Sequence, residues 1–332
     1  MIIKKDNKLS ASRDIFRNNG FPEISVAILL LFVSIYLLYT NLISADYRKV
    51  DFSKSSGFYQ DPIELTLHTN VIGAEIRYST DGSEPTLQST KYTGPLELSE
   101  TATVKARLFR KEKPLGLADH RNIFINEHSD LAVIALTADA KDLWDENEGI
   151  YNVNNYKKKG EEWHKNGIIE FYNSTDSKRS FIKDVEFRIY GGETRRNAQK
   201  SLKLCTGSND SIKYELFPGY KVDKFKCVLL RNSGSDWKTT MFKDALLQEI
   251  IRDNSQVTTQ NYRPVILFIN GKYWGIHNLR EYYNDNYLSN KYQGRRQDYA
   301  ILFPDRDDKG RVQIEAGTQK DADDFYALRS LV

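Results

Sequence analysis

Residues Ile24 to Ile43, ISVAILLLFVSIYLLYTNLI, form an apolar run without a single charge. A helix needs about 20 such residues to cross the hydrocarbon layer of a bilayer, so this run is expected to be a membrane-spanning helix. Lys4, Lys5, Lys8, Arg13 and Arg17 precede it, and only Arg48 and Lys49 follow closely. By the positive-inside bias, residues 1–23 form a cytoplasmic tail, and the bulk of the chain lies outside the cytoplasm. Tyr36 and Tyr39 stand toward the outer end, where interfacial aromatics gather. The run exceeds a signal-peptide core and lacks an A-x-A cleavage site, so a retained single-pass anchor over 24–44 is expected, with cleavage at Ser44–Ala45 the lesser alternative. A buried core helix does not fit, because the run has no polar face to show to water.

The chain has 332 residues, more than one ordinary core holds, and two folded domains are expected beyond the anchor. Aromatic residues make up 12 % of it and there are two methionines, a balance that suits rigid, mainly β architecture with some α+β character. The net charge of +3 excludes a general nucleic-acid binder, so any anion site must be a local cluster. Cys205 and Cys227 are the only thiols, neither is in a CxxC, and the five histidines are scattered, so no metal site is expected. Both cysteines fall in expected strands. Buried single thiols and a disulfide both remain open.

Residues 50–126 read as short strands separated by turns, the pattern of a small Ig-like β-sandwich. Ile63, Leu65 and Leu67 alternate with polar neighbours, as do Ala74, Ile76 and Tyr78, and Val104, Ala106 and Leu108. In IRYSTDGSEPT, Asp81–Gly82 supplies a tight turn and Pro85 stiffens its exit. This phrase, with Tyr92-Thr93-Gly94-Pro95 after it, resembles the chitobiase or hexosaminidase C-terminal-type domain. The resemblance implies an appended spacer or carbohydrate-associated module, not a hydrolase site, since paired catalytic acids have no counterpart here. A glycan is a conceivable partner through Tyr78 or Tyr92; packing is the plainer role for both.

Residues 131–332 form the second region. Leu131 to Thr137 is an apolar run suited to a buried strand, and Asp139 to Ile150 suits a short helix ending at Gly149. Asp145, Glu146 and Glu148 match no calcium loop and read as a solvated turn. In Val185–Cys205, VEFRIYGGETRRNAQKSLKLC, Val185, Phe187 and Ile189 alternate with Glu186 and Arg188, Gly191 and Gly192 break the run, and Ser201 to Cys205 alternates again. That is a hairpin with Arg195, Arg196 and Lys200 between its strands and Lys203 beyond. Flexible backbone N–H groups and fixed positive charge there suit a phosphate; a merely solvated edge has the same composition.

Gly191, Gly192, Thr194, Arg196, Lys200, Ser201 and Lys203 are similar to the signature of the spore-coat CotH kinase-like family, whose pattern has His-Gly or Arg-Gly ahead of the hydroxyl residue. A second stretch, Ile269-Asn270-Gly271-Lys272-Tyr273-Trp274-Gly275-Ile276-His277-Asn278-Leu279-Arg280-Glu281, also resembles that family, with His277 in place of the usual Tyr. The residues themselves predict a hairpin there, because Asn-Gly between two strands selects a type I′ turn. Trp274 is expected to pack in the core rather than against an adenine. Thr239 or Thr240 is expected to cap a helix to about Arg252, with Phe242, Leu246, Leu247 and Ile250 on one face.

The resemblance implies the N-terminal lobe of an atypical kinase-like fold that uses ATP and Mg2+ to phosphorylate Ser or Thr of a surface or coat protein. It implies a cofactor site of Gly191, Gly192, Arg195, Arg196, Lys200, Lys203, Asp244 and Glu281. Asp244 or Glu249 would then supply the carboxylate that pairs with the phosphate-binding lysine. Asp305 to Gly310 followed by Val312 to Ile314 reads as a turn and strand, and Asp321 onward as a helix. The family's acidic phrases, Asn-x-Asp-Trp and Trp-Asp-x-Asp, which hold magnesium and address the acceptor, occur nowhere in this sequence. No catalytic residue is therefore assigned, and the expectation is a chain that is inactive alone. The alternative is a non-catalytic surface protein that binds glycans or surface proteins.

Overall fold

The computed structural model describes residues 28, 30–35, 49–220, 222–255, 257–305, 308 and 310–331. The expected membrane span lies largely outside the described residues; those described within it, 28 and 30–35, are helical and exposed. Among the described residues no helix is long and apolar enough to cross a membrane.

From residue 49 the chain first builds a sandwich. Its strands are β1 (Asp51–Phe52), β2 (Gly57–Tyr59), β3 (Ile63–Leu65), β4 (Leu67–His68), β5 (Glu75–Ser79), β6 (Thr90–Lys91), β7 (Leu96–Leu98), β8 (Ala102–Arg110) and β9 (Lys113–Ile125). One sheet has the order β2-β9-β8-β5-β6, and the pairs β1-β4 and β3-β7 form the other layer. The alternation seen in the sequence is the cause: Leu65, Leu67, Ile76, Val104, Ala106 and Leu108 all enter one core between the layers. Tyr78 and Tyr92 pack against that core, edge to face.

The second region is a closed barrel, mainly β with few helices. Its strands are β10 (Ala132–Ala138), β11 (Lys165–Tyr172), β12 (Arg179–Tyr190), β13 (Ser201–Cys205), β16 (Cys227–Arg231), β17 (Tyr262–Ile269) and β18 (Lys272–Glu281), in the order β10-β11-β12-β13-β16-β18-β17. Parallel pairing of β17 with β10 closes it. Small pairs β14 (Ile212–Lys213) with β15 (Lys224–Phe225), and β19 (Ile301–Pro304) with β20 (Val312–Ala316), lie outside the ring.

Period-two alternation sorts the barrel side chains inward and outward. Ile134, Leu136, Phe171, Phe187, Ile189, Leu202, Leu204, Leu230, Leu267 and Leu279 fill the interior. On the outside, β17, β10 and β11 meet the sandwich through Phe268, Val133, Ala135 and Tyr172. All seven residues of β10 are buried, because both of its faces are covered. The outer face of β12, β13, β16 and β18 is met instead by Asp244 and Glu315, and Leu229 and Arg280 on it are buried.

Helices α1 (Ala140–Trp144), α2 (Lys243–Asn254), α3 (Asp285–Tyr292) and α4 (Gln319–Arg329) complete the fold. The first is shorter than the Asp139–Ile150 helix the sequence predicts: Asp145 takes up the backbone N–H groups of Asn147 and Glu148 and turns the chain out. The start of α2 also differs. Thr239 and Thr240 give their hydroxyls to Asp236, and Asp236 itself accepts from the Lys243 N–H at 3.0 Å. The predicted stripe of Phe242, Leu246, Leu247 and Ile250 is exposed rather than packed. The Asn270–Gly271 turn is as expected, with φ of 49° and 76°, the pair of positive values a type I′ hairpin needs. Cys205 and Cys227, direct cross-strand partners on β13 and β16, form a disulfide.

Candidate anion-binding face

The basic hairpin does not present all of its cations together. Arg195 is buried, and its guanidinium donates to the carbonyls of Tyr156 at 2.7 Å, Ile189 at 2.8 Å and Lys158 at 2.7 Å. Lys200 is 4 % exposed; its Nζ donates to the carbonyls of Arg195 at 2.7 Å and Asn197 at 2.8 Å and sits 4.6 Å from the Tyr156 ring centre. Burial, and next Arg195, lower its pKa to about 8. These two cations tie the Gly191–Gly192 connection to the barrel end, and Gly191, at φ 105°, makes the bend possible. Arg196 is exposed and pairs loosely with Glu193 at 3.8 Å.

Lys203 lies elsewhere. It follows Leu202, which points into the barrel, so alternation turns Lys203 outward. Its cross-strand neighbour on β12 is Arg188, and on β16 it is Leu229, which pairs in turn with Arg280 of β18. Arg231 lies two residues along β16 from Leu229 on the same face. Four cations thus share the outer face of four adjacent strands: Arg188, Lys203, Arg231 and Arg280. Tyr190 and Tyr282 stand among them with ring centres 5.8 Å apart, and the Lys203 Nζ lies 3.7 Å above the Tyr282 ring.

Two carboxylates pair directly with these four charges, and a third, Glu186 on the outer face of β12, acts on Lys203 at longer range. Asp244, from the first turn of α2, places Oδ2 3.0 Å from both Arg231 Nε and Arg280 Nη2. Glu315, from β20, lies 3.8 Å from Lys203 and accepts from the Tyr282 hydroxyl. Arg188 has no carboxylate within ion-pair distance among the described residues. Arg280 is 0 % exposed, and its buried Nε and Nη1 find no hydrogen-bond acceptor. A buried guanidinium with open donors is costly unless an acceptor fills the gap. Burial lowers the Arg280 pKa, with Asp244 opposing and Arg231 adding to the shift. Burial, and next Arg188, lower Lys203 to about 8 against the pull of Glu315 and Glu186.

Of the residues the sequence puts forward, the structure therefore brings Lys203 and Asp244 to one face. Gly191, Gly192, Arg195, Arg196 and Lys200 stay at the hairpin end. Glu281 sits on the opposite side of β18 from Arg280, 1 % exposed, accepting the Asn261 N–H at 2.8 Å, and burial raises its pKa. Glu249 pairs with Arg252 at 2.8 Å. Trp274 packs against the barrel core beside Trp144 and Tyr151. Arg188, Arg231 and Arg280 were missed, although one signal was available: each is the polar member of an alternating strand, out of phase with the core.

Three guanidinium groups and an ammonium share this face, and one of them, Arg280, is buried with donors unfilled; phosphate oxygens are acceptors of the kind such donors take. Magnesium does not fit. Asp244 and Glu315 are already engaged by cations and a phenol, and no group of three His, Cys, Asp or Glu among the described residues could hold a metal.

Residues 187–327 match the CotH kinase protein family, and residues 54–115 match the chitobiase/beta-hexosaminidase C-terminal domain. The chain thus has a segment similar to the CotH kinase protein family behind one similar to the chitobiase/beta-hexosaminidase C-terminal domain. Arg188, Lys203, Arg231, Asp244, Arg280 and Glu315 all fall within the first match. No curated protein matches the chain.

Proposed function

We propose that this is a membrane-anchored, extracytoplasmic CotH kinase-like protein that holds the phosphates of ATP on the outer face of β12, β13, β16 and β18. The observation that carries the reading is Arg280, a fully buried guanidinium with Nε and Nη1 unfilled, flanked by three further cations. Phosphate oxygens are the acceptors such a fork fits. The apolar run of residues 24–43 supports the anchor, and a surface or coat protein is the acceptor class that goes with the family.

In this reading the chain binds nucleotide and does not itself transfer the phosphoryl group. Phosphoryl transfer relies on a metal bridging the phosphates and on a carboxylate that orients the acceptor. The family's acidic phrases for both tasks are absent from the sequence, and the carboxylates on this face are spoken for. The second reading, a non-catalytic binder of glycans or surface proteins, shares that absence. Incubating the full chain in detergent with magnesium-ATP and a Ser-rich acceptor, alongside equilibrium dialysis of ATP, separates the readings. Retained ATP without label transfer is the expected result. Transfer would overturn the inactive reading, and absence of ATP retention would leave the glycan or surface binder.

A further inference from the structure

We infer that the sandwich and the barrel are one cooperative folding unit, with the sandwich serving as a wall of the barrel rather than as a module tethered to it. Domains in one chain move against each other by default unless their contact is large and apolar. Here strands β8 and β9 serve both bodies. Val104, Ala106, Leu108 and Ile123 face the sandwich core, while Thr103, Asn122 and Phe124, out of phase with them, face the barrel.

Three kinds of contact follow. Phe58 stacks on Phe124 with ring centres 4.5 Å apart, and Phe124 meets Tyr172 at 5.8 Å and Phe268 at 4.9 Å, so two sandwich rings and two barrel rings form one buried cluster. Glu170 of β11, 0 % exposed, accepts from Ser56 of the sandwich at 3.0 Å and lies 3.3 Å from His120 Nε2, while Arg179 of the barrel donates to it at 3.1 Å. Asn122 and Thr137 are bonded to each other across the same junction. Parting the two bodies would wet the rings and break a buried polar set that neither body completes alone.

The third contact joins two turns. A Cβ at Gly82, in the Asp81–Gly82 turn, would fall 2.6 Å from the Asn270 side chain; a Cβ at Gly271 would fall 2.6 Å from the Thr103 backbone nitrogen. The Asn270 side chain, for its part, is bonded to both backbone groups of Ala138. The turn motifs of the two regions therefore grip each other, and β18 leaves that grip on its way to Arg280. The inference is independent of what the cationic face binds.

All four tryptophans, Trp144, Trp163, Trp237 and Trp274, lie in the barrel region, so indole emission reports barrel unfolding alone. Denaturant unfolding of the full chain in detergent would be followed by that emission and by hydrogen exchange of residues 102–125. Val104→Ala, in the sandwich core, is expected to lower the tryptophan midpoint and the sandwich midpoint equally. Should that variant not fold, loss of the barrel signal along with the sandwich supports the inference, and the milder Ile76→Val gives the measurable shift. Gly271→Ala is expected to split the transition in two. Gly219→Ala, also at positive φ (85°) but with nothing within 4 Å, should leave it single. A tryptophan midpoint unmoved by both sandwich variants would overturn the inference.

Discussion

Arg231 and Arg280 share one carboxylate oxygen, Asp244 Oδ2, at 3.0 Å from each. One negative charge set between two guanidinium groups leaves that pair with a surplus of +1, and Arg188 and Lys203 nearby add two positive charges against Glu315 and Glu186. In the proposed reading, that surplus, part of it fully buried, is what draws an anion to the outer face. It also makes Asp244 a stabilising residue that competes with the ligand.

Asp244→Asn tests this double role. Removing one partner of a buried ion pair costs about 3–5 kcal/mol, and the partial exposure of Asp244 reduces that to about 2 kcal/mol. Stability measured in denaturant should fall by that amount, while affinity for ATP or pyrophosphate should rise, and bound anion should recover part of the lost stability. A parallel loss of stability and affinity would contradict the assignment.

The pH dependence of binding and of stability should run in opposite directions. Lys203 is charged below its folded pKa of about 8, so ATP affinity should weaken as pH rises through 8. Stability responds to the difference from the unfolded lysine, near 10.4. Between pH 8 and about 10 the folded state holds fewer protons at Lys203 and Lys200, both lowered to about 8, than the unfolded chain does. The contribution of these lysines to stability therefore increases across that window. Titration calorimetry and denaturant midpoints at pH 7, 8 and 9 check both signs.

Reducing the Cys205–Cys227 bond should destabilise the barrel. The two residues are 22 apart in sequence, and closing a loop of that size stabilises by about 3 kcal/mol in the chain-entropy account. Cys205→Ser with Cys227→Ser should lose that amount and make stability insensitive to reductant. Since Cys205 lies on the same face of β13 as Lys203, ATP affinity is expected to fall modestly with it.

The strands were legible because alternation is local: Val185, Phe187 and Ile189 read as a core face from the sequence and occupy it. Their companions Glu186 and Arg188 read equally well as an outer face, but what lies across from Arg188 depends on sheet order. Strand β18, far along the chain, follows β16 in the ring, and no local pattern announces that neighbour. For Lys200 the charge is visible in the sequence, whereas the carbonyls of Arg195 and Asn197 that accept its hydrogen bonds appear only once the chain turns at Gly191. The stripe of Phe242, Leu246, Leu247 and Ile250 was correctly periodic, and periodicity cannot say whether a partner covers it. The Cys205–Cys227 bond was open in the sequence because it depends on the register of β13 against β16.

Isothermal titration of ATP into the full chain in detergent, compared across Lys203→Ala, Arg188→Ala and Lys200→Ala, bears most directly on the cationic face. One charged hydrogen bond lost is about 1.5–3 kcal/mol, so Lys203→Ala and Arg188→Ala should each weaken binding roughly 10- to 100-fold. Lys200→Ala should lower stability and leave the affinity of the folded protein within about threefold of the parent, a difference worth less than 1 kcal/mol. Loss of ATP binding in Lys200→Ala with full retention in Lys203→Ala would contradict the account.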